Sequence, residues 1–281
     1  MIRSRLPHSP RPLAAPALLS ALLATCGLAH AADGASFGIG ADYSRGDYGT
    51  GLDTGILSIP VSARVRSGNW TFGASVPWLR VSGDPNVLPT TGPVDNLNPL
   101  GRGRDGLLGG GSSEDADGGL QRGTASGIGD VTLAATYAVP TGSALGVELG
   151  ASAKIATADE DKGLGTGAND YGVSVGLHRD FDGTMLFGGV GHTWLGDSTW
   201  IDVDSVVGGN LGVSRQAGRG RLGAMLEHRS ASAEGLDDRR DAVGFYTLPT
   251  DAGGSVQVYA GRGLSDGSPD WSAGISIRSG F

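Results

Sequence analysis

The chain has 281 residues, 51 of them glycine, and its 29 acidic residues outnumber its 21 lysines and arginines, so the formal net charge is −8. This balance disfavours a nucleic-acid partner, which requires a basic surface. Glycine lies far above its usual share of about 7% without the period of collagen. After residue 31, no apolar run approaches the roughly 20 residues of a membrane-spanning helix, so a membrane protein of this composition would have to cross as a closed barrel.

Residues 1–31 have the layout of a secretory signal peptide. Three arginines precede the apolar run Leu13–Ala24, and the small-x-small sequence Ala29-His-Ala31 follows it. The apolar run holds about a dozen residues, too few to remain as a membrane anchor. We predict cleavage after Ala31, which leaves residues 32–281 as the mature barrel domain.

The single cysteine, Cys26, lies inside this leader segment. Leu-Ala-Thr-Cys has a form similar to a bacterial lipoprotein site, although the residue before the cysteine is usually smaller than Thr25, so lipidation of Cys26 stays open. Cleavage after Ala31 would leave a mature chain without cysteine, and therefore without disulfide or thiol chemistry.

Twelve segments of the mature chain alternate apolar and polar residues, as strands with one apolar and one wet face do. In chain order they are Ser36–Arg45, Thr54–Arg66, Trp70–Ser82, Asp130–Val139, Ala144–Thr157, Asp170–Phe181, Thr184–Gly196, Ser205–Gln216, Arg219–Ala231, Asp241–Leu248, Ser255–Gly263 and Asp270–Phe281. The seventh and tenth segments can be read in either phase, so the pattern leaves the facing of their side chains open.

The connections between these segments alternate in length. Short glycine-containing turns occupy 66–70, 140–143, 181–184, 216–219 and 250–253, whereas longer and mostly acidic connections occupy 83–129, 158–169, 197–204, 232–240 and 264–269. Short turns at one rim and long loops at the other are typical of an outer-membrane barrel with its short turns in the periplasm. An immunoglobulin-like sandwich has no physical reason to sort its loops in this way.

Aromatic residues mark the ends of the apolar faces. Trp271 and Phe281 lie ten residues apart on one face, about 33 Å along a strand and about 25 Å in height at a tilt of about 40°. Trp70 and Trp78 share a face of the third segment. These spacings match the two aromatic girdles of an outer-membrane barrel, with an edge strand or a core of a soluble sheet as the alternative. We therefore predict an all-β fold: a transmembrane antiparallel up-and-down β-barrel of about 12 strands in the outer membrane of a Gram-negative bacterium.

Segment 83–125 is too long and aperiodic for a simple turn. Its middle is rich in glycine and acid, whereas its start carries apolar residues next to prolines. We predict an extracellular loop that constricts the pore entrance, with a disordered surface loop as the alternative. The constriction candidates are Val87, Leu88, Leu97 and Leu100, with Arg102 and Arg104 available to pair with the acidic rim.

The wet faces of the strands supply candidates for the lumen, because a lysine or arginine that faces lipid at the midplane costs about 2–4 kcal/mol. The pore-lining candidates are Arg64, Arg66, Glu148, Lys154, His178, Arg221, Glu227, Arg229 and Arg278. Two interpretations remain open. The charges form a filter with a basic periplasmic end, or they pair internally and stiffen a narrow barrel.

One sequence motif points to catalysis. His228 and Ser230 form a His-x-Ser pair like that of outer-membrane phospholipases, in which the histidine acts as the base for the hydroxyl. Both lie on the lipid-side parity of their segment, the Asn-Gly expected after the serine is absent, and no third member is apparent. We predict no enzymatic activity and keep a lipid hydrolase as a remote alternative. The acidic runs 114–117 and 159–161 lack the spacing of a calcium loop, so no metal or cofactor is predicted.

Two glycine-rich stretches resemble a known family. Ser126-Gly-Ile-Gly-Asp-Val-Thr-Leu-Ala-Ala-Thr-Tyr137, followed by Val-Pro-Thr-Gly142, and Gly163-Leu-Gly-Thr-Gly-Ala-Asn-Asp-Tyr171 are similar to a strand and the following loop in the outer-membrane transporters named for the MetA pathway of phenol degradation. That family also includes the channel that exports functional amyloid subunits. The resemblance is strongest over 126–196 and at the final strand, and thinner before residue 83.

This resemblance implies a twelve-stranded channel, with a homotrimer among its assemblies, for small hydrophobic compounds or for secreted chains. The amyloid exporter carries a helical region before its barrel, whereas only a few residues separate Ala31 from the first predicted strand, so export of chains is disfavoured. The sequence thus predicts a channel that passes small, hydrophobic or aromatic solutes. A structural or surface-interaction barrel without transport is the alternative. Its expected partners are outer-membrane lipids, small solutes and the assembly machinery that reads the final strand in similar proteins.

Overall fold

The computed structural model describes residues 33–89, 91–93, 95–96, 123–199, 201–233, 235–251 and 253–280. The signal peptide, Leu97, Leu100, Arg102, Arg104 and Phe281 lie outside these ranges. The strands are β1 (Gly34–Gly46), β2 (Thr54–Ser67), β3 (Trp70–Gly83), β4 (Val87–Leu88), β5 (Gly92–Pro93), β6 (Asp95–Asn96), β7 (Gly123–Ile128), β8 (Val131–Val139), β9 (Leu145–Ile155), β10 (Asp170–Phe181), β11 (Thr184–Trp194), β12 (Ile201–Asp202), β13 (Val206–Ala217), β14 (Gly220–Arg229), β15 (Arg239–Pro249), β16 (Ser255–Gly263) and β17 (Trp271–Gly280). A short 3-10 turn covers Glu160–Lys162. Within the described ranges, no helix is both long and apolar enough to span a membrane.

The wall is a closed antiparallel barrel. Around it the order is β1, β2, β3, β7 with β8, β9, β10, β11, β13, β14, β15, β16 and β17, and β17 pairs back onto β1. In the described residues these form twelve wall strands, since β7 and β8 follow one another along β3. The predicted fold class and all twelve predicted strands are confirmed.

The fourth wall strand differs from its prediction, because it begins at Gly123 rather than at Asp130. Val76 and Pro77 of β3 oppose three residues, 129–131, since the pairs on either side are Trp78 with Ile128 and Ser75 with Thr132. Pro77 has no N–H to donate but accepts from Gly129 N at 2.8 Å. The extra residue is a β-bulge, which reverses the side-chain alternation. The sequence pattern therefore breaks in the middle of a continuous strand.

The outer surface of the barrel is apolar. Large exposed side chains include Phe37, Ile39, Val61, Leu133, Val175, Leu211, Leu222 and Ile277. Aromatic clusters lie near both rims. At the short-turn rim Trp70 packs against Phe72 and Tyr137, with ring centroids 5.9 and 4.9 Å apart, and at the long-loop rim Tyr43 lies 5.4 Å from Trp271. A water-soluble protein would bury such a belt, so this surface faces lipid.

The short turns all lie at one rim of the barrel and the long loops at the other, as the sequence predicts. Each of the five short turns contains a glycine with positive φ, as at Gly183 (84°) between β10 and β11 and at Gly218 (60°) between β13 and β14. A left-handed backbone of this kind is one that residues with a Cβ rarely adopt, so glycine permits the tight reversal. We refer to this rim as periplasmic and to the long-loop rim as extracellular, following the arrangement of outer-membrane barrels.

Candidate channel lumen

Strand alternation places all nine pore-lining candidates on the inner side of the wall. Arg64 and Arg66 of β2 alternate with the exposed Val61 and Val65. Arg278 of β17 alternates with the exposed Ile275 and Ile277. The same test puts Glu148, Lys154, His178, Arg221, Glu227 and Arg229 inside.

The inner side chains near the periplasmic rim are basic. Arg64 and Arg278 lie on either side of β1, where they are paired in register with Ser36 and Gly38. The residues of β1 between the two arginines are therefore small. Arg221 is held to its own wall, because its guanidinium donates to Ser214 Oγ at 3.3 Å and lies 3.6 Å from Asp180.

Lys154 lies in a buried ion-pair network near the extracellular rim. Only 2% of its side chain is exposed, and its Nζ lies 3.1 Å from Asp130 and 2.5 Å from Asp170. It also donates a hydrogen bond to Thr166 Oγ1 at 3.0 Å. Burial of a cation is tolerated when opposite charges and hydrogen bonds compensate it. For Lys154, internal pairing rather than an open filter describes the contacts.

This network joins the two glycine-rich stretches. Asp130 Oδ1 accepts from the backbone N–H groups of Thr157 and Ala158, at 3.0 and 2.9 Å, and so fixes the start of the β9–β10 loop. Leu164 of the same loop packs inside the barrel against Leu79, Val81 and Ala125. Both stretches stand out in the sequence, but the pairing of Asp130 and Asp170 with one lysine does not, because forty residues separate the two aspartates along the chain.

Charges also pair across the extracellular half of β14 and β15. Glu227 lies opposite Asp241, and Arg229 lies opposite Arg239. Arg239 Nε donates to Asp241 Oδ2 at 2.6 Å, so these two of the four charged side chains form an ion pair on the inner face. The sequence pattern places Arg239 in a connection, because the tenth predicted segment begins only at Asp241, and it leaves the facing of Asp241 open, because that segment can be read in either phase.

The same ambiguity hid an apolar part of the lumen wall. Inward-facing side chains of β11, β14 and β15 form a cluster that we call the apolar wall: Met185, Phe187, Met225, Val243 and Phe245. The rings of Phe187 and Phe245 lie 6.3 Å apart. Leu186 and Val190, which are exposed on the outer surface, fix the phase of β11. Both faces of β11 and β15 carry apolar residues, so alternation alone could not assign the side chains of these two strands.

Glycines explain how large rings fit inside the barrel. Phe187 is paired in register with Gly212, Phe245 with Gly223 and His178 with Gly146, and each ring lies against the space that a Cβ at that glycine would occupy. Tyr259 lies over Gly274 in the same way and donates a hydrogen bond to Asp42 at 2.9 Å. Glycine therefore lets these rings lie flat against the wall instead of filling the lumen.

Val87 and Leu88 belong to a small hairpin that folds inward at the extracellular mouth. Both are 0% exposed, and Leu88 packs against Ile201 and Val203 of the β11–β13 connection. β6 and β12 add a two-residue ladder between the same two connections. The other four constriction candidates, Leu97, Leu100, Arg102 and Arg104, lie outside the described residues.

The hairpin reaches the opposite wall. Thr91–Pro93 share a narrow space with Arg229 and Arg239, and Ser232 Oγ donates to Pro93 O at 2.8 Å. β3 and β14 are six places apart among the wall strands, so a segment that leaves one and contacts the other spans the mouth.

Tyr48 of the β1–β2 loop is also buried, and this burial raises the pKa of its hydroxyl although a hydrogen bond with Ser44 opposes the shift.

His228 lies on the outer surface of β14, as its parity indicates, and Ser230 directly follows the end of that strand. Ser230 Oγ accepts from Val207 N at 3.0 Å and so serves the strand ladder. Asp238 faces the pair, and the backbone N–H of Ala231 lowers the pKa of its carboxyl, with smaller contributions from Arg240 and His228. In the described part of the chain, no hydrogen bond joins His228 to Ser230, and no group of three or more potential ligands is placed to hold a metal ion.

No protein-family model and no curated protein sequence matches the chain. Among solved structures, an outer-membrane channel from Pseudomonas putida F1 superposes with a TM-score of 0.63 over 90% of this chain and 97% of that chain, at 14% identity. The CymD monoaromatic hydrocarbon channel aligns over 96% and 95% of the two chains (12% identity, TM-score 0.44), and the Ralstonia pickettii toluene transporter TbuX over 89% and 90% (13%, 0.43).

The first of these likenesses shows a shared fold. That fold is the closed barrel that the resemblance of the two glycine-rich stretches implies. Together with the lipid-facing belt and the closed wall, it identifies the chain as a transmembrane β-barrel of the outer-membrane type.

Proposed function

We propose that the chain is an outer-membrane channel that passes small hydrophobic solutes, aromatic compounds among them, along the apolar wall of its lumen. The observation that carries this proposal is the inward cluster of Phe187, Phe245, Met185, Met225 and Val243. The interior of a general porin is polar because it conducts water and ions. Flat aromatic rings and adaptable methionine side chains instead offer dispersion contacts to apolar solutes.

The remaining lumen features suit the same task. The hairpin at the mouth, with Val87 and Leu88 at its base, forms the constriction that a solute must pass. Arg64, Arg66 and Arg278 then line the periplasmic exit and form a basic filter there. Glu148 and His178 lie between these two ends. Residues 1–31 serve as the cleaved signal peptide, and the assembly machinery reads the last strand.

Uptake into proteoliposomes tests the proposal. The variant F187S/F245S replaces both rings of the apolar wall with small polar side chains. We expect slower entry of an apolar probe such as toluene, while entry of a small sugar stays the same or rises because the lumen becomes wider and more polar. F37S, on the lipid-facing surface of β1, is the matched control. Equal toluene uptake by F187S/F245S and wild type would contradict the apolar route.

Two other functions make different predictions. A structural or surface-interaction barrel would show no solute-dependent flux and no single-channel conductance in planar bilayers. A lipid hydrolase would release fatty acid from phospholipid vesicles and lose that activity in H228A. The hydrogen bond from Val207 N to Ser230 Oγ favours the channel, because it commits the hydroxyl to the strand ladder.

A further inference from the structure

Arginines are distributed unevenly over the outer surface at the extracellular rim. Within the described residues, four arginines point outward there, and all four lie on the half of the wall formed by β15, β16, β17, β1, β2 and β3: Arg240, Arg262, Arg45 and Arg80. The outward positions at the same end of the other half carry hydroxyl, aromatic, aliphatic and histidine side chains, such as Ser126, Tyr171, Trp194 and His228.

These arginines stand at the level of the aromatic girdle. Arg262 and Arg45 are both paired in register with Trp271, one on each side, so their backbones are about 10 Å apart, two strand spacings. Trp271 in turn contacts the ring of Tyr43. Tryptophan and tyrosine rings sit at the headgroup level of a membrane, so the flanking guanidinium groups lie where lipid headgroups begin.

Two of the four arginines already have acidic neighbours. Arg45 pairs with Asp53 at 2.7 Å and Arg240 with Asp238 at 3.2 Å. Both pairs are exposed, and an exposed ion pair adds little to the stability of the fold. Arg80 and Arg262 are exposed and make no ion pair with any described residue. Beside Arg80, the hydroxyls of Ser82 and Thr124 lie 2.9 Å apart on the same outer face and add hydrogen-bonding groups.

We propose that this arc, from Arg240 through Arg262 and Arg45 to Arg80, is a binding site for the phosphorylated sugar headgroup of lipopolysaccharide. A guanidinium group donates two parallel hydrogen bonds to a phosphate, which is the geometry that makes arginine the preferred phosphate ligand. The Tyr43–Trp271 pair between Arg262 and Arg45 supports the acyl chains at the boundary. The occupant is lipopolysaccharide rather than phospholipid because the arc lies at the extracellular rim, in the leaflet that lipopolysaccharide fills.

Binding to the full-length purified barrel in detergent tests this site by native mass spectrometry. The probes are purified lipopolysaccharide and the same preparation after enzymatic removal of its phosphates. For wild type we expect about tenfold or more tighter binding of the phosphorylated form, the difference that a few charge-assisted hydrogen bonds supply. This comparison needs no variant, so it does not depend on how a mutant folds. Equal binding of the two forms would overturn the proposal.

A pair of double variants then locates the site. R80Q/R262Q removes the two arginines without described acidic partners, and its affinity should fall to that of the dephosphorylated ligand. The matched control is R179Q/R215Q, which removes two exposed, outward arginines at the periplasmic rim and should bind as wild type does. An equal loss in both double variants, or full competition by phosphatidylglycerol vesicles, would reduce the arc to a general anion surface and overturn the assignment.

Discussion

The extracellular and periplasmic halves of the lumen are built in opposite ways. In the extracellular half, loops fold inward and are fixed by buried contacts, as Lys154 with its two aspartates and Leu88 with Ile201 show. In the periplasmic half, the largest inward rings lie flat over glycines. The basic residues Arg64 and Arg278 there are paired in register with the small residues Ser36 and Gly38. Packed loops therefore narrow the lumen at the extracellular end, whereas glycines make room for the large inward side chains toward the periplasmic end.

The difference shows two uses of glycine in one fold. In the β9–β10 loop, Gly163 and Gly165 let the backbone enter the barrel, where Gly165 lies against Asp130. In β13 and β14, Gly212 and Gly223 instead make room for a ring from the neighbouring strand. Overall glycine content thus reflects a narrow lumen in which each large inward side chain needs an empty position beside it.

The largest effect is expected from K154M, which removes the buried cation at the extracellular end of the lumen. It leaves Asp130 and Asp170 as buried carboxylates without their cation, a loss of about 3–5 kcal/mol for a broken buried ion pair. The temperature at which the unboiled barrel converts to its heat-denatured mobility on a gel should fall clearly. The protease sensitivity of the β9–β10 loop should rise as its anchor is lost.

K162M is the matched control, because Lys162 pairs with Asp159 at 3.4 Å where both side chains are 46% exposed. A surface pair of this kind contributes about 0–1 kcal/mol. A transition temperature of K154M equal to that of K162M would show that the buried network does not hold the mouth together.

Deletion of residues 86–120, with a short Gly-Ser linker joining the ends, should open the mouth. It removes the hairpin that spans from β3 to the β14–β15 wall. Single-channel conductance in planar bilayers should increase and bulky solutes should enter faster, while the barrel stays heat-modifiable. Unchanged conductance in the folded deletion variant would place the narrowest point of the channel elsewhere in the lumen.

A smaller effect is expected at the periplasmic end. Replacement of Arg64, Arg66 and Arg278 with glutamate reverses the charge of the exit and should shift the reversal potential in a salt gradient toward cations. R219E is the control, since Arg219 lies in the periplasmic turn and pairs with Asp251 at an exposed site outside the lumen. The same reversal potential in the triple variant and wild type would mean that ions do not pass these arginines.

The smallest effect is expected from G223A, which tests whether the Phe245 ring needs the space over Gly223. In G223A the new methyl group would occupy the space of the Phe245 ring, so the ring must move into the lumen. We expect a modest drop in conductance and a destabilisation of about 1–3 kcal/mol, as for other overpacked sites. G244A on the next strand is the control, because a Cβ there meets nothing within 4 Å. Equal conductance in both variants would show that the lumen has room for the displaced ring.

The sequence by itself determined the barrel. Period-two alternation, sorted loop lengths and aromatic ends are local features, and each reports directly on a strand between lipid on one side and a lumen on the other. The same alternation placed Arg64, Lys154 and Arg278 on the inner side, where the structure has them. Short-range patterns suffice for this, because the facing of a side chain is set by its own strand.

Only the tertiary structure decided what the inner residues contact. Lys154 meets Asp130 because β8, β9 and β10 lie side by side in register, which no spacing along the chain reveals. The bulge at 129–131 interrupts the pattern that would have extended the fourth strand. Phe187 and Phe245 stayed unassigned because apolar residues occupy both faces of β11 and β15, where lipid borders one face and the apolar wall the other. Alternation cannot separate two apolar surroundings, and only closure of the barrel assigns one of them to the lumen.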